Sequence, residues 1–324
     1  MSADLPKLSY RPGDRFYPIP PSEQGLPSVV AEHFVDIPMD GVAPGHNLLE
    51  GLCFSRAGDL YLTHVVGQRI YKVDVATREV SLFAELPDGM KPAALKYHKD
   101  GRAFLAIAYS DRGGMVAILS PEGELGGTIL EGCGQTIDDL VFDELGGFYY
   151  TCLDGTPQDP CAGVFYCEPD LRTVHTLTTG MIESNGIALT PDGKGLWVTE
   201  YGRSQLWFLK VPRDHHTLGE SSTRIPYKFA GVGSSDSCSV DADGNLYVAL
   251  CGQGRYLAFN ANGMPIGQFL MPGRDEGAWL RTTHPALRPG TDELYMSAAD
   301  FATGKSAIFV ARGFAQAHRS YQFQ

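Results

Sequence analysis

A motif that recurs six times along this chain of 324 residues constrains its fold more than any other feature. Each copy is a tight turn followed by a short run of aromatic or β-branched residues, as at residues 242–248. Asp-Gly followed by alternating apolar residues is typical of a β-hairpin, because the turn needs a residue at positive φ. Successive turns lie 43 to 51 residues apart. The six turns are marked by Gly58, Gly101, Gly146, Gly193, Gly244 and Asp292.

Six strand-rich units of this length predict an all-β fold, a six-bladed β-propeller with four-stranded antiparallel blades around a central channel. A second strand follows each turn, as at residues 70–73 and 205–208, and helical periodicity is scarce except weakly at 314–318. Prolines crowd the first residues, and no linker divides the rest. We therefore predict an extended N-terminal arm over residues 1–27 and one propeller domain over residues 28–324.

Charge and cysteine usage exclude several classes of partner. Lys plus Arg is 26 and Asp plus Glu is 38, a net charge of −12. An acidic protein is repelled by nucleic acid and by anionic membranes, so neither is a predicted partner. The start of the sequence lacks the pattern of a signal peptide, and no apolar run is long enough to span a membrane. The seven cysteines are scattered without a Cys-x-x-Cys pair, which argues against a zinc cluster and favours a cytoplasmic protein.

The position eight residues before each turn marker is polar in five of the six repeats. Equivalent positions in radially arranged blades face the same end of the central channel, so these side chains are expected to converge. The six positions hold Glu50, Ala93, Asp138, Asn185, Asp236 and His284.

Three carboxylates and an amide that converge in this way would repel one another without a cation. Oxygen ligands suit a hard divalent metal, Ca²⁺ first, with another divalent cation as the alternative. We predict one Ca²⁺ held by Glu50, Asp138, Asn185 and Asp236. The competing interpretation is that these residues only shape turns, where Asp and Asn are common.

Around these positions the sequence resembles the gluconolactonase, senescence-marker-protein and luciferin-regenerating family. The resemblance runs from about residue 28 to the end and is carried by the motifs at residues 50–52, 138–141, 185–188 and 236–241. It implies a six-bladed propeller with a catalytic Ca²⁺. It would place Glu50, Asp138, Asn185, Asp236 and Ser237 around the metal and make Asp236 the general acid and base.

Two residues depart from the pattern of the family's sugar lactonases. Those enzymes carry Asn where this chain has Asp138, and Gly where it has Ser237. Both differences favour a bacterial, drug-responsive branch of the family. That branch also implies a second, structural Ca²⁺, but this chain is shorter and different in the corresponding segments near Asp111 and Glu131, so we do not predict a second site.

The expected function is therefore a metal-dependent hydrolase that opens small lactones, dihydrocoumarin-like or simple five-membered. His284 is expected to contact the substrate or to orient a water. Two different enzymes could use the same site, a sugar-acid lactonase and a promiscuous phosphotriesterase. A non-enzymatic possibility is a Ca²⁺-binding stress or ligand-binding protein without turnover. The loops above the channel that would select the substrate carry no readable pattern.

Overall fold

The computed structural model describes residues 19–110 and 113–324, and within these ranges the chain forms six sheets and only two 3-10 helices. The N-terminal strands are β1 (Ser28–Val30) and β2 (Glu32–Ile37). The first blade contains β3 (Leu49–Phe54), β4 (Leu60–His64), β5 (Arg69–Val73) and β6 (Val80–Glu85). The second contains β7 (Lys91–Tyr97), β8 (Ala103–Tyr109), β9 (Met115–Leu119) and β10 (Leu125–Ile129).

The remaining blades follow in chain order. The third contains β11 (Ile137–Phe142), β12 (Phe148–Cys152), β13 (Ala162–Cys167) and β14 (Val174–Met181). The fourth contains β15 (Ser184–Leu189), β16 (Gly195–Glu200), β17 (Gln205–Lys210) and β18 (Thr223–Lys228). The fifth contains β19 (Ser234–Val240), β20 (Leu246–Cys251), β21 (Arg255–Phe259) and β22 (Pro265–Leu270). The sixth contains β23 (Arg281–Leu287), β24 (Glu293–Asp300) and β25 (Lys305–Arg312). The 3-10 helices are Arg274–Glu276 and Tyr321–Phe323.

The inner strands form a closed ring, which confirms the predicted six-bladed propeller. Each inner strand packs against the inner strands of both neighbouring blades, and β23 of the last blade packs against β3 of the first. Within each blade, the four strands follow one another from the channel outwards, and each strand pairs antiparallel with the next. Large side chains fill the wedges between blades, as where Phe104 and Phe142 meet edge to face at 5.1 Å. The inner strands are almost fully buried because protein covers both of their faces.

The N-terminal strands close the ring. Strand β2 pairs antiparallel with β25 and becomes the outermost strand of the sixth blade, while β1 adds a fifth, parallel strand beside β22. Joining the two ends of the chain in one sheet removes a free edge that would otherwise be exposed. Among the preceding residues, Glu23 is buried and its carboxylate lies 2.5 Å from the Arg255 guanidinium.

The predicted domain boundary is not decided by these contacts. Residues 1–18 lie outside the described residues, so the arm over residues 1–27 and the propeller over 28–324 stay predictions. The weak helical pattern at residues 314–318 was misleading, because that segment forms irregular structure with a single bridge from Ala317 to Asp241. In the described part of the chain no helix has the length and apolar character needed to cross a membrane.

Candidate active site

A break in strand pairing occurs at the predicted ring position in all six inner strands. The interruptions lie at residues 50–53, 92–94, 137–140, 184–187, 235–238 and 282–285. A bulge of this kind bends the strand and re-aims a side chain. Gly51 is needed at one break, since it has φ +61° and a Cβ there would lie 2.7 Å from the backbone nitrogen of Leu95. The Glu-Gly and Asn-Gly pairs of the sequence motifs therefore reflect close packing between inner strands.

Hydroxyl groups on second strands tie one blade to the next at these breaks, and the sequence reasoning missed them. Thr199 Oγ1 accepts from the Gly186 N–H at 2.8 Å and donates to the Asp236 carbonyl of the following blade at 2.7 Å. Thr151 likewise donates to the Asn185 carbonyl. A sequence signal exists, since Thr or Ser follows the turn marker by five or six residues in four repeats. These residues are Thr63, Thr151, Thr199 and Ser297. Thr151 and Thr199 make the bonds between blades, whereas the Thr63 hydroxyl has no hydrogen-bond partner and Ser297 donates to the His284 carbonyl of its own blade.

Replacing Thr199 with Val should destabilise the fold. The change keeps the shape but leaves the Gly186 N–H and the Asp236 carbonyl without their partner, and each unpaired buried group costs about 1–3 kcal/mol. We expect a loss of that size in the free energy of unfolding, measured by urea denaturation. Thr179→Val, at an exposed position of β14, is the matched control. Equal stability of the two variants would contradict the role given to the hydroxyl.

The predicted ring residues lie close together and are buried. Glu50, Asp138, Asn185 and Asp236 are each no more than 8% exposed. The Asn185 side chain hydrogen-bonds to the Asp236 carboxyl group, and Asp236 interacts electrostatically with Glu50 and Asp138. Ser237 is also buried, and its backbone N–H donates to Asp236 Oδ1 at 3.0 Å. Blade two contributes an apolar side chain, Ala93, at the equivalent position.

The carboxyl groups of the ring are held in an environment that opposes their charge. Burial first, and then the Asp236, Asp138 and Asp139 carboxylates, raise the pKa of Glu50 well above its ordinary value. Burial followed by Asp236 and Asp139 does the same to the pKa of Asp138. Burial also raises the pKa of Asp236, to about 7, against the lowering effect of the Ser237 N–H. A cation among them would restore the charged forms.

Two oxygen atoms of the ring are buried without any hydrogen-bond partner, Glu50 Oε2 and Asn185 Oδ1. Buried polar atoms are nearly always partnered, so an unpaired carboxylate oxygen and an unpaired amide oxygen among the ring residues indicate a missing ligand. In residues 19–110 and 113–324 no three His, Cys, Asp or Glu side chains form a complete metal centre as they lie. The donors nevertheless have the chemistry that Ca²⁺ prefers, including the amide oxygen of Asn185.

Below the ring lies a residue that the sequence reasoning did not identify, Lys96 on β7. Its ammonium is 3.2 Å from Asp139 Oδ1 and 3.1 Å from His284 Nε2. The other ring nitrogen of His284, Nδ1, is 3.6 Å from Glu50 Oε2. Burial first, and then Lys96, lower the pKa of His284 well below its ordinary value. The signal in the sequence is weak, a lysine inside an otherwise buried inner strand.

Asp139 is engaged on both carboxylate oxygens. Oδ1 accepts the Leu140 N–H at 2.8 Å in addition to facing Lys96, and Oδ2 accepts the Ile187 N–H at 3.3 Å. This side chain therefore joins blade three to blades two and four.

For the second calcium considered above, Asp111 lies outside the described residues.

A cavity of about 790 Å³ occupies the opposite end of the channel from the ring. Its walls are the far ends of the inner strands, including Phe54, Phe142 and Leu287, and the C-terminal residues 320–324 line it as well. Lys96 and His284 lie at its inner end, whereas the carboxylates of the ring do not line it. Lys96 thus separates the acidic ring from a chamber with mixed polar and apolar walls.

A model of the SMP-30/Gluconolactonase/LRE-like region matches residues 48–300, which include every ring position. The chain belongs to the SMP-30/gluconolactonase/LRE-like family. A curated relative, lactonase drp35 of Staphylococcus saprophyticus, is 42% identical over 329 residues that cover 99% of each chain. The predicted family resemblance, including its drug-responsive branch, is therefore confirmed.

Solved structures share the fold of this SMP-30/gluconolactonase/LRE-like chain. A calcium-binding protein, regucalcin from Agrobacterium tumefaciens, has a TM-score of 0.68 and 18% identity, covering 90% of this chain and 98% of its own. A gluconolactonase from Xanthomonas campestris has a TM-score of 0.67 and 15% identity, covering 82% and 87%. At such low identity these similarities establish the propeller architecture alone.

Proposed function

We propose that this chain is a Ca²⁺-dependent lactonase that hydrolyses the ester bond of small lactones. The observation that carries the proposal is the buried ring of three carboxyl groups with partnerless oxygens on Glu50 and Asn185. Support also comes from the full-length relative named lactonase drp35. The lactone is a small-molecule partner, and neither nucleic acid nor membrane enters the proposal.

Glu50, Asp138, Asn185 and Asp236 would hold the Ca²⁺, with Ser237 as a further ligand. When bound, the metal supplies Lewis-acid polarisation of the lactone carbonyl and neutralises the negative charge of the ring. Oxygen donors favour Ca²⁺ over Zn²⁺, because His284 is the one nitrogen ligand that the ring positions offer. Another divalent cation of similar hardness is the alternative.

Asp236 is assigned the proton transfers. Its carboxylate accepts a proton from the attacking water and returns one to the alkoxide released when the ring opens. Asp139 is poorly suited to the same role, because Lys96 and two backbone N–H groups occupy its oxygens. His284 faces Glu50 and Lys96 through its two ring nitrogens, so its remaining part in the reaction is to border the substrate.

The substrate class follows from two residues. Asp138 and Ser237 differ from the pattern of the family's sugar lactonases, so we expect a higher kcat/KM for dihydrocoumarin or a simple five-membered lactone than for gluconolactone. The measurement is a substrate panel followed with a pH indicator, each reaction run with Ca²⁺ and with a chelator. A clear preference for aldonolactones would instead favour a sugar-acid lactonase.

The same panel distinguishes a lactonase from a phosphotriesterase and from a protein that only binds Ca²⁺. Turnover of paraoxon-like esters above that of any lactone would favour a phosphotriesterase. Binding of Ca²⁺ without turnover of any compound would favour a Ca²⁺-binding stress or ligand-binding protein. Loss of lactone hydrolysis with the chelator, and its return with Ca²⁺, is the result that supports the proposal.

A further inference from the structure

Lys96 lies between two acceptors at the centre of the propeller. The side chain comes from blade two, Asp139 from blade three and His284 from blade six, so the contacts join three inner strands. Although burial lowers it, the Asp139 carboxylate raises the pKa of Lys96 overall, which keeps the ammonium protonated. The contacts at 3.2 Å and 3.1 Å are both within reach of its three N–H donors.

The hydrogen-bond donors of Lys96 determine which ring nitrogen of His284 carries the proton. A protonated lysine has donors and no acceptor, so His284 Nε2 must accept its hydrogen bond and carries no proton. In a neutral imidazole the proton then resides on Nδ1. That atom is 3.6 Å from Glu50 Oε2, and both atoms are buried without another partner.

We infer that Lys96 is a positioning residue of the candidate site: through His284 it directs an Nδ1–H donor at the Glu50 carboxylate, and through Asp139 it holds the strand that carries Asp138. Groups that orient a ligand from behind in this way typically change metal affinity or activity by about 10–100-fold when removed. The effect on catalysis rests on the proposed function, whereas the effect on the proton position of His284 does not.

The decisive measurement is nitrogen NMR of protein labelled with ¹⁵N-histidine. The chain has nine histidines, and His284→Gln identifies the resonances of His284 by their loss. We expect Nδ1 protonated and Nε2 unprotonated in the unaltered protein. In Lys96→Met the ring should redistribute towards the other tautomer, and in Lys96→Arg the original state should return, since the neighbouring cavity leaves room for the larger guanidinium.

Kinetics and Ca²⁺ titration supply the second arm. Lys96→Met should lower kcat or Ca²⁺ affinity by about 10–100-fold, with partial recovery in Lys96→Arg. Lys228→Met, at an exposed position of β18, is the control and should match the unaltered protein. If Lys96→Met does not fold because Asp139 is left unpaired, the double variant Lys96→Met/Asp139→Asn removes that charge and keeps the NMR readout.

The NMR measurement tests the inference about Lys96, and the kinetic measurement tests the proposed function separately. An Nε2-protonated His284 in the unaltered protein, or an unchanged tautomer in Lys96→Met and in the double variant, would overturn the inference. Failure to hydrolyse any lactone would count against the proposed function alone, because the tautomer is still measured.

Discussion

Replacing Asp236 with Asn is expected to lower kcat for lactone hydrolysis by about 10²–10⁴-fold, the usual contribution of a general acid and base. The variant keeps the size of the side chain and one carbonyl oxygen towards the ring, but it cannot accept a proton from water. Its thermal stability in the presence of Ca²⁺ should stay close to that of the unaltered protein. The measurement is kcat with saturating dihydrocoumarin, together with thermal denaturation.

Asp243→Asn is the matched control for this experiment. Asp243 lies in the next turn of the same blade and is exposed, so its replacement should leave kcat unchanged. If Asp236→Asn retains more than about a tenth of the original kcat, well outside the expected loss, Asp236 acts only as a ligand. The proton acceptor would then be another group of the channel. His284 and Asp139 would be tested next, although each would first have to release its contact with Lys96.

Removing the metal is expected to abolish activity and to destabilise the fold. Without a cation the buried carboxyl groups of the ring repel one another, and the nearby Lys96 ammonium is engaged by Asp139. A ligand at 100 times its Kd stabilises the folded state by about 2.7 kcal/mol, so adding Ca²⁺ after EDTA should raise Tm measurably. Elemental analysis verifies that the metal has been removed, and activity assays and differential scanning fluorimetry measure the two consequences.

Glu50→Gln tests whether the ring carboxylates bind the metal. The substitution removes one charged ligand and should weaken Ca²⁺ binding, so that added Ca²⁺ partly restores its activity, unlike that of Asp236→Asn. Glu32→Gln on the exposed side of β2 is the control. Active protein without bound metal, or full activity after exhaustive chelation, would rule out Ca²⁺ dependence and leave the ring without its proposed role.

The blade architecture could be predicted from the sequence because its signals are local. The turns need a residue at positive φ, which Asp-Gly supplies in three of the six repeats, and the apolar alternation beside them needs only neighbouring residues. The register of the repeat also brought out Glu50, Asp138, Asn185, Asp236 and His284 as equivalent positions. Whether these side chains hold a metal is not decided by that register.

Other features depend on contacts between distant parts of the chain. The hydrogen bond from Lys96 to His284 joins residues 188 positions apart, and the local sequence distinguishes this lysine only weakly from one at the surface. The hydroxyl of Thr199 ties two blades only because their inner strands approach closely at Gly186. The sequence alone determined the repeating unit, since a turn and its strands are specified by neighbours. The tertiary structure alone decided which side chains support the ring, since ring closure brings together residues that the chain keeps far apart.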